Sequence, residues 1–503
     1  MALHTFLLVV SGAAATAGVH EGSPSQGAAL FMEVGAARGI QPYVMAPGLS
    51  AGIAAEDYDG DGDIDLFVPN GIGAADQLYI NDGTGHFVES AARVGLDVDG
   101  NHRAALWFDA DGDGDLDLLT VGDCYENTLC TGTSSLRLHQ QLADGTFRDV
   151  TQGAGLGRDL TIQPDTHVGG VAVGDLDSDG DLDIFVCFWE GLSFLYVNDG
   201  HGRFVDRGLE KGIQLELNHW QPVLHDFNGD GHLDIFQAVD FHANRLWINQ
   251  GDGTFVDRAP QAGVDNAFNE MGVSLADYDR DGDLDLYVTN IFTTTGRHNL
   301  LYERRGAQLA FDEVSAQMGV QDSGCGWGNT FSDVDHDGWL DLAATNSCAG
   351  GHTRFFWNRL SSGSGFEEVT PRVGIDGYNG TGLVAFDMDG DGDRDLAQVS
   401  IEGVRVFENT LVASPGRGYL VIRPRMRGAN PYSAGAVVTL LEGGRRTASA
   451  ILAGSSIMSQ EPAEAHFGLG SAALVDVRID WPDGSHRVLE DVAPNQVLTV
   501  VAP

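Results

Sequence analysis

Basic residues are scarce in this chain: 28 Lys and Arg stand against 73 Asp and Glu in 503 residues, a formal net charge of −45. So acidic a chain offers no electrostatic footprint to nucleic acid or to an anionic membrane. Long apolar runs are also missing after the N-terminal segment, and without about 18 consecutive apolar residues no helical membrane span is expected. There are five cysteines (Cys124, Cys130, Cys187, Cys325 and Cys348), none in the CxxC spacing of a zinc site. No nucleophile elbow, HExxH, Walker loop or dinucleotide fingerprint occurs. Ser, His and Asp are plentiful, but their chain positions alone assemble no triad.

Glycine, by contrast, is abundant at 68 residues, favouring many tight turns over long helices. The length exceeds one ordinary compact core, so a repeat architecture or several domains is expected. The acids do not form the blocks of a disordered tail. They sit in short clusters between apolar runs, which points to cation binding.

One nine-residue pattern, D-x-[DN]-x-D-G-x-x-D, occurs seven times. It begins at Asp57, Asp109, Asp175, Asp226, Asp277, Asp333 and Asp387, at spacings of 52, 66, 51, 51, 56 and 54 residues. That is the period of a propeller blade, not of a short solenoid rung. Calcium takes six to eight oxygen ligands in a flexible shell. Carboxylates at positions 1, 3, 5 and 9, with the main-chain carbonyl of position 7, can wrap one such ion.

The residues so assigned are Asp57, Asp59, Asp61, Asp63 and Asp65 in the first loop, and Asp109, Asp111, Asp113, Asp115 and Asp117 in the second. Asp175, Asp177, Asp179, Asp181 and Asp183 form the third; Asp226, Asn228, Asp230, His232 and Asp234 form the fourth. Asp277, Asp279, Asp281, Asp283 and Asp285 make the fifth, and Asp333, Asp335, Asp337, Trp339 and Asp341 the sixth. The seventh is Asp387, Asp389, Asp391, Asp393 and Asp395. Position 6 is glycine throughout, where the chain must turn sharply. An EF-hand would need a carboxylate at position 12, which here is Val68 in the first loop and Gln398 in the last. Magnesium prefers fewer protein carboxylates and more water. Up to seven Ca²⁺ are expected, and they would reduce the net charge from −45 to −31.

A second motif, F-x-[ED]-x5-G, is interleaved with the first and starts at Phe31, Phe87, Phe147, Phe204, Phe255, Phe311 and Phe366. Short β-type runs surround each acidic loop, so each repeat reads as four antiparallel strands, A to D, with the acidic loop joining A to B. The seventh repeat lacks a D strand, and Phe31 to Gly35 is free to supply it. Closure of this kind removes an exposed edge. After Asn409 the pattern gives way to alternating runs such as YLVIR and VDVRIDW. The fold expected is all-β: a seven-bladed β-propeller (31–410) closed by an N-terminal strand, followed by a separate, small β-sandwich-like domain (418–503).

Residues 1–20 read as a signal peptide, with an apolar core from Phe6 and a small-residue site at Ala15-Thr16-Ala17, which places the chain outside the cytoplasm. In an oxidising compartment, bridges Cys325–Cys348 and Cys124–Cys130 are expected, with Cys187 a buried free thiol. In a four-stranded blade the A–B and C–D turns share one face, and the D–A and B–C loops share the other. The second face should carry, just before strand A, Ser50, His102, His167, His219 with Trp220, Glu270, Trp327 and Thr381. Asp123, Glu190, Asp240, His242 and His352 join them from the B–C loops. Such side chains suit ligand binding or acid–base chemistry at the channel mouth, or else plug the channel.

The acidic loops resemble the FG-GAP/VCBS repeats of integrin α-subunit propellers. With the tail segments GAVVTL, AGSSIMSQ, HFGLG, VDVRIDWPDG and NQVLTV, the chain resembles the cartilage acidic protein family, whose C-terminal module is called ASPIC/UnbV. Ile457 stands where that family usually has an aromatic. The resemblance implies a secreted calcium-binding protein that recognises an extracellular protein or glycan. The alternative is a calcium-dependent propeller enzyme (a lyase, hydrolase or cyclase) acting on a glycan or secondary metabolite, since the fold hosts both.

Overall fold

In the computed structural model, residues 30–503 are described except 42–50, 72–73, 99, 124–134, 158–166, 292–296, 307, 323, 349–350, 401 and 412–416. The signal peptide expected at 1–20, Ser50 and the expected Cys124–Cys130 bridge lie outside the described residues. Among the rest, seven four-stranded antiparallel sheets follow one another in chain order, one of them joined by an extra two-residue strand. The chain is a β-propeller with a second all-β domain at its C-terminus.

Each sheet starts where its motif residues stand. The B strands are Asp65–Val68, Asp117–Gly122, Asp183–Trp189, Asp234–Asp240, Asp285–Asn290, Asp341–Asn346 and Asp395–Ser400, so every one begins on the ninth residue of its acidic loop. The apolar residue after it (Leu66, Leu118, Ile184, Ile235, Leu286, Leu342 or Leu396) is buried and anchors the loop. The D strands begin on the phenylalanine of the second motif, as in Phe204–Asp206 and Phe255–Asp257. The acid of that motif caps the turn that follows. Glu33, Glu89, Asp149, Asp206, Asp257, Glu313 and Glu368 each accept a hydrogen bond from the backbone N–H two residues on, the local bonding that makes acids good turn formers. The motif's glycine ends the short helix after strand D in a left-handed conformation, as at Gly212 (φ 82°) after Gly208–Lys211.

The ring closes as expected. Phe31–Glu33 pairs antiparallel with Gly403–Asn409, in the register Phe31 to Asn409 and Glu33 to Phe407. An asparagine at the end of strand C ties neighbouring sheets together. Asn198 Nδ2 donates to Leu182 O of its own loop and to Ala110 O of the preceding one. Asn81, Asn249, Asn358 and Asn409 repeat this clamp.

The C-terminal domain consists of a three-stranded sheet, with Gly418–Arg425 between Ala465–Gly470 and Gln496–Val501, and a four-stranded sheet built on Val437–Glu442 and Val475–Asp480. Leu420, Ile422, Val438, Phe467, Val477 and Trp481 form its core. It does not stand apart from the propeller. The segment between Arg445–Ala450 and Ala465–Gly470 descends into the central channel and hydrogen-bonds the innermost strand of all seven sheets. Gln460 pairs with Ile53 and Ala55, and its side-chain amide both donates to and accepts from the backbone of Trp107. Ala453 O accepts from Val173 N, Met458 N donates to Gln221 Oε1, and Ser456 exchanges two bonds with Val273. Ser456 Oγ accepts from Asn329 N and Glu461 from Ala385 N. Ile457 and Met458 are buried within the core cluster that includes Trp220 and Trp327. Gly52 makes room for this insertion, because a Cβ there would overlap the Met458 carbonyl. The domain is thus tied to the propeller by more than its linker, since its connecting segment finds many of its hydrogen-bond partners on the inner strands of the sheets.

Cys325 and Cys348 form a disulfide with Cα atoms 5.4 Å apart, and Cys187 is free and buried. Alkylation of the folded protein should leave Cys187 unmodified until denaturant is added, and should recover the Cys325 and Cys348 peptides linked. Mass spectrometry showing both as free thiols in exported protein would refute the bridge.

Candidate metal centres and the opposite face

The seven acidic loops share one hydrogen-bond plan. The first carboxylate accepts through Oδ2 from the glycine N–H at position 6, from Gly62 N to Asp57 through Gly392 N to Asp387. Position 5 accepts through Oδ1 from the N–H of position 7. Position 9 accepts through Oδ1 from the backbone at the end of strand C, as in Asn81 N to Asp65 and Asn358 N to Asp341, both at 2.8 Å. Position 7 side chains lie over the C–D turn. Asp63, Asp181 and His232 leave no room for a Cβ at Gly83, Gly200 and Gly251.

This plan holds one face of each carboxylate and leaves the other turned inward. In at least five loops, three carboxylate oxygens lie within 4.8 Å of one another: Asp57, Asp59 and Asp61; Asp109, Asp111 and Asp117; Asp175, Asp177 and Asp183; Asp277, Asp279 and Asp285; Asp333, Asp335 and Asp341. Asp57 Oδ1, Asp65 Oδ2, Asp111 Oδ1, Asp177 Oδ1, Asp285 Oδ2 and Asp341 Oδ2 are buried without a hydrogen-bond partner. A cation would satisfy acceptors in that state. The metal-free electrostatics agree. Burial pushes Asp183 up to about 8, the charges of Asp177 and Asp175 adding to it against the hydrogen bond from Asn198. Asp65 and Asp117 are likewise pushed up to about 8, and Asp234 and Asp277 to about 7, with burial the first cause in each. The all-oxygen donor set fits calcium.

Repeat and tail fall within known families. The FG-GAP-like repeat profile matches residues 57–120, 122–186, 226–288 and 333–397, together more than half of the chain, and the ASPIC and UnbV profile matches 426–503. The chain is an FG-GAP repeat protein with an ASPIC and UnbV domain at its C-terminus. Cartilage acidic protein 1 of Homo sapiens is 27% identical over 369 residues, 71% of this chain and 46% of the relative. That of Xenopus tropicalis is 25% identical over 476 residues, 91% of this chain and 65% of the relative. The chain thus spans about half the length of the human relative. Among solved structures, BBS1N in complex with ARL6DN aligns at TM-score 0.46 and 10% identity, covering 77% of this chain and 98% of that one. Rhamnogalacturonan lyase YesW aligns at 0.39 and 13% identity, covering 76% of each.

In this FG-GAP protein the C-terminal domain sits on the acidic-loop face. Ala448 N donates to Asp277 Oδ2 at 2.8 Å, Arg417 pairs with Asp335 at 2.8 Å, and Arg423 Nη1 donates to Gly62 O at 3.0 Å. Nε2 of His336 and of His466 lie 3.1 and 3.0 Å from Gly392 O. Arg280, at position 4 of the fifth loop, bonds Glu442 and Thr447. A polar cavity of about 90 Å³ between the two domains is lined by Asn329, Arg394, Glu461, Glu464 and His466 among others.

The residues expected on the opposite face are mostly enclosed. His102 is buried with Nδ1 2.5 Å from Asp76 Oδ2. His167 lies 3.3 Å from Asp123, which also holds Arg103 at 3.0 Å. His219 is buried, with Nε2 2.9 Å from Leu215 O, and Trp220 meets Trp327 edge to face at 5.3 Å across the channel. Glu270 is fully buried and accepts from Phe268 N. Thr381 donates to Ala51 O. Asp240 accepts from Trp189 Nε1 at 3.2 Å, and burial pushes it up to about 7. Glu190 and His242 are exposed, and His352 is half-buried beside Asp376. One residue the repeats did not single out is Phe241, which is 51% exposed and held at φ 63° with Arg297 over its ring. A bulky side chain in the left-handed region is uncommon enough to attract notice.

The fourth loop departs from the plan. Asn228 removes one charge at position 3, and His232 faces Ser178 of the third loop at 2.8 Å. Calcium titration followed by calorimetry should show this site filling last, and Asn228→Asp should tighten it. A titration unchanged by that substitution would reject the ranking.

Proposed function

We propose that the chain is an exported, calcium-binding propeller that acts as an extracellular recognition module through the face opposite the acidic loops. Calcium is held by carboxylates at positions 1, 3, 5 and 9 and by the position 7 carbonyl, and its charge offsets the mutual repulsion of these groups. The observation that carries the reading is the seating of the C-terminal domain on the acidic-loop face, while Glu190, Phe241 and His242, among the described residues of the B–C loops, are exposed on the other. That face differs from repeat to repeat, as a recognition surface should. The Cys325–Cys348 bridge favours an oxidising compartment. Relatives named for cartilage, though matched over only part of their length, support an extracellular partner, a protein or a glycan.

The test is a binding screen against extracellular matrix proteins and glycans with the wild type and with a Glu190→Ala, Phe241→Ala, His242→Ala triple variant. Lost binding at an unchanged melting temperature supports the reading. Retained binding by the variant sends the partner elsewhere on the molecule. Product analysis of the same glycan incubations tests the enzymatic alternative.

A further inference from the structure

Resting on the calcium reading above, we propose that the loops form two classes of calcium site, divided by the C-terminal domain. The fifth and sixth loops are covered and exchange their ion slowly; the remaining loops exchange it freely.

The division follows from what the domain touches. In the fifth loop, Ala448 N donates to the carboxylate of Asp277, a ligand, while Arg280 bridges to Glu442 and Thr447. In the sixth, Arg417 grips Asp335 through both its carboxylate and its carbonyl. Gly468 packs so closely on Asp333 that any side chain there would collide with the carboxylate, and Gly470 N donates to His336 O at 2.9 Å. In the sixth loop the result is enclosure, with Asp333, Asp335 and Asp341 1%, 3% and 2% exposed; in the fifth, Asp277 and Asp285 are 0% and 2% exposed while Asp281 stays open, so the domain acts there through its grip on Asp277. Asp285 Oδ2 and Asp341 Oδ2 lie in these loops buried and unpartnered, turned toward the place an ion would fill.

The other loops are reached differently. The domain meets the first and seventh without a hydrogen bond to a ligand carboxylate, at Gly62 O and Gly392 O, at Arg394 through Glu464, and with Tyr419 packed on Gly392. Ala429 lies near Gly112 of the second loop, and Gly435 near Leu233 of the fourth. Their fifth-position carboxylates, Asp61, Asp113, Asp179, Asp230 and Asp391, are exposed, as is Asp281 of the fifth loop, whereas Asp337 of the sixth is half-buried; what sets the fifth loop apart is the domain's hydrogen bond to its ligand Asp277. An ion in the fifth or sixth loop leaves only when the domain lifts, whereas an ion elsewhere needs only local ligand loss. Because the domain orients ligand carboxylates, the coupling is reciprocal: calcium in these loops holds the domain down, and the docked domain holds the calcium.

The experiment is calcium release from the full-length, calcium-loaded protein into excess chelator by stopped flow, with the bound calcium counted beforehand. The expected trace has two phases at least about fivefold apart, the lower end of typical coupling, with about two ions per chain in the slow one. Arg417→Ala should move about one ion into the fast phase, and Arg417→Lys should restore it, with both melting temperatures compared to confirm folding. Hydrogen exchange gives a second readout, in which the Ala448 amide should lose protection on chelation. Single-phase release, or two phases indifferent to Arg417→Ala, overturns the proposal and leaves the calcium reading intact. Absence of bound calcium at the outset sinks both.

Discussion

Chelation should lower the melting temperature of this protein by more than about 10 °C relative to millimolar calcium, because several sites unload together. Each site held at about 100 times its dissociation constant contributes about 2.7 kcal/mol of linked stability. The loops are also poor structures without a cation, since they keep buried carboxylate oxygens with no partner. Removing one ligand, as in Asp175→Ala, should cost less than full chelation because the other loops remain. Differential scanning calorimetry in EGTA and in calcium is the measurement, and superimposable curves would end the calcium reading.

The pH dependence of that difference is fixed in sign. In the metal-free protein Asp65, Asp117 and Asp183 are pushed up to about 8, above the ordinary carboxylate value. Groups raised in the folded state favour folding when protonated, so their contribution is complete below about pH 4 and is lost as pH rises through about 8. The calcium-free protein should therefore lose stability from pH 5 to pH 8. Calcium requires the same groups deprotonated, so its stabilisation should grow over that interval. Melting temperatures at pH 5 and pH 8, with and without calcium, should diverge upward; a gap independent of pH would contradict the assignment.

The repeats were legible almost to the residue because their signals are local. Position 9 of each acidic loop starts strand B, and the phenylalanine of the second motif starts strand D. Both rest on bonds between residues close in sequence. The closure by Phe31–Glu33 was legible for a similar reason, since one sheet lacked a strand and one spare strand existed. What the second motif's acid does was not: seven of the acids that raised the negative charge cap turns, and composition does not separate a turn cap from a metal ligand. The insertion of the tail was hidden as well, because its partners lie up to 407 residues away. A trace of it was nonetheless present. Five residues before each acidic loop the chain reads Gly52, Ala104, Gly170, Gln221, Gly272, Gly328 and Gly382, a ring of small side chains broken by Gln221, whose carboxamide oxygen accepts from Met458 N. The same insertion explains why Trp220 and Trp327 are enclosed. They pack in the core cluster that holds Ile457 and Met458.

Gln460→Ala should destabilise the whole molecule by about 2–4 kcal/mol, because it strips two hydrogen bonds and leaves buried backbone groups unpaired. Gln460 is 3% exposed, and its amide both accepts from Trp107 N at 2.7 Å and donates to Trp107 O at 3.0 Å. Trp107 is 2% exposed and packed against Tyr58, Phe67 and Phe147, which keeps bulk solvent from replacing them. The neighbouring backbone of Gln460 still pairs with Ile53 and Ala55, so the loss falls on the side chain alone. Exposed Glu490, on the outer strand of the domain, is the control, and its substitution by alanine should stay within about 0.5 kcal/mol. Because the segment bonds to every sheet, propeller and C-terminal domain should unfold in one transition in both variants, shifted downward only in Gln460→Ala. Two separate transitions in the wild type, with Gln460→Ala moving only one, would show that the tail is a passenger on the propeller and not part of its core.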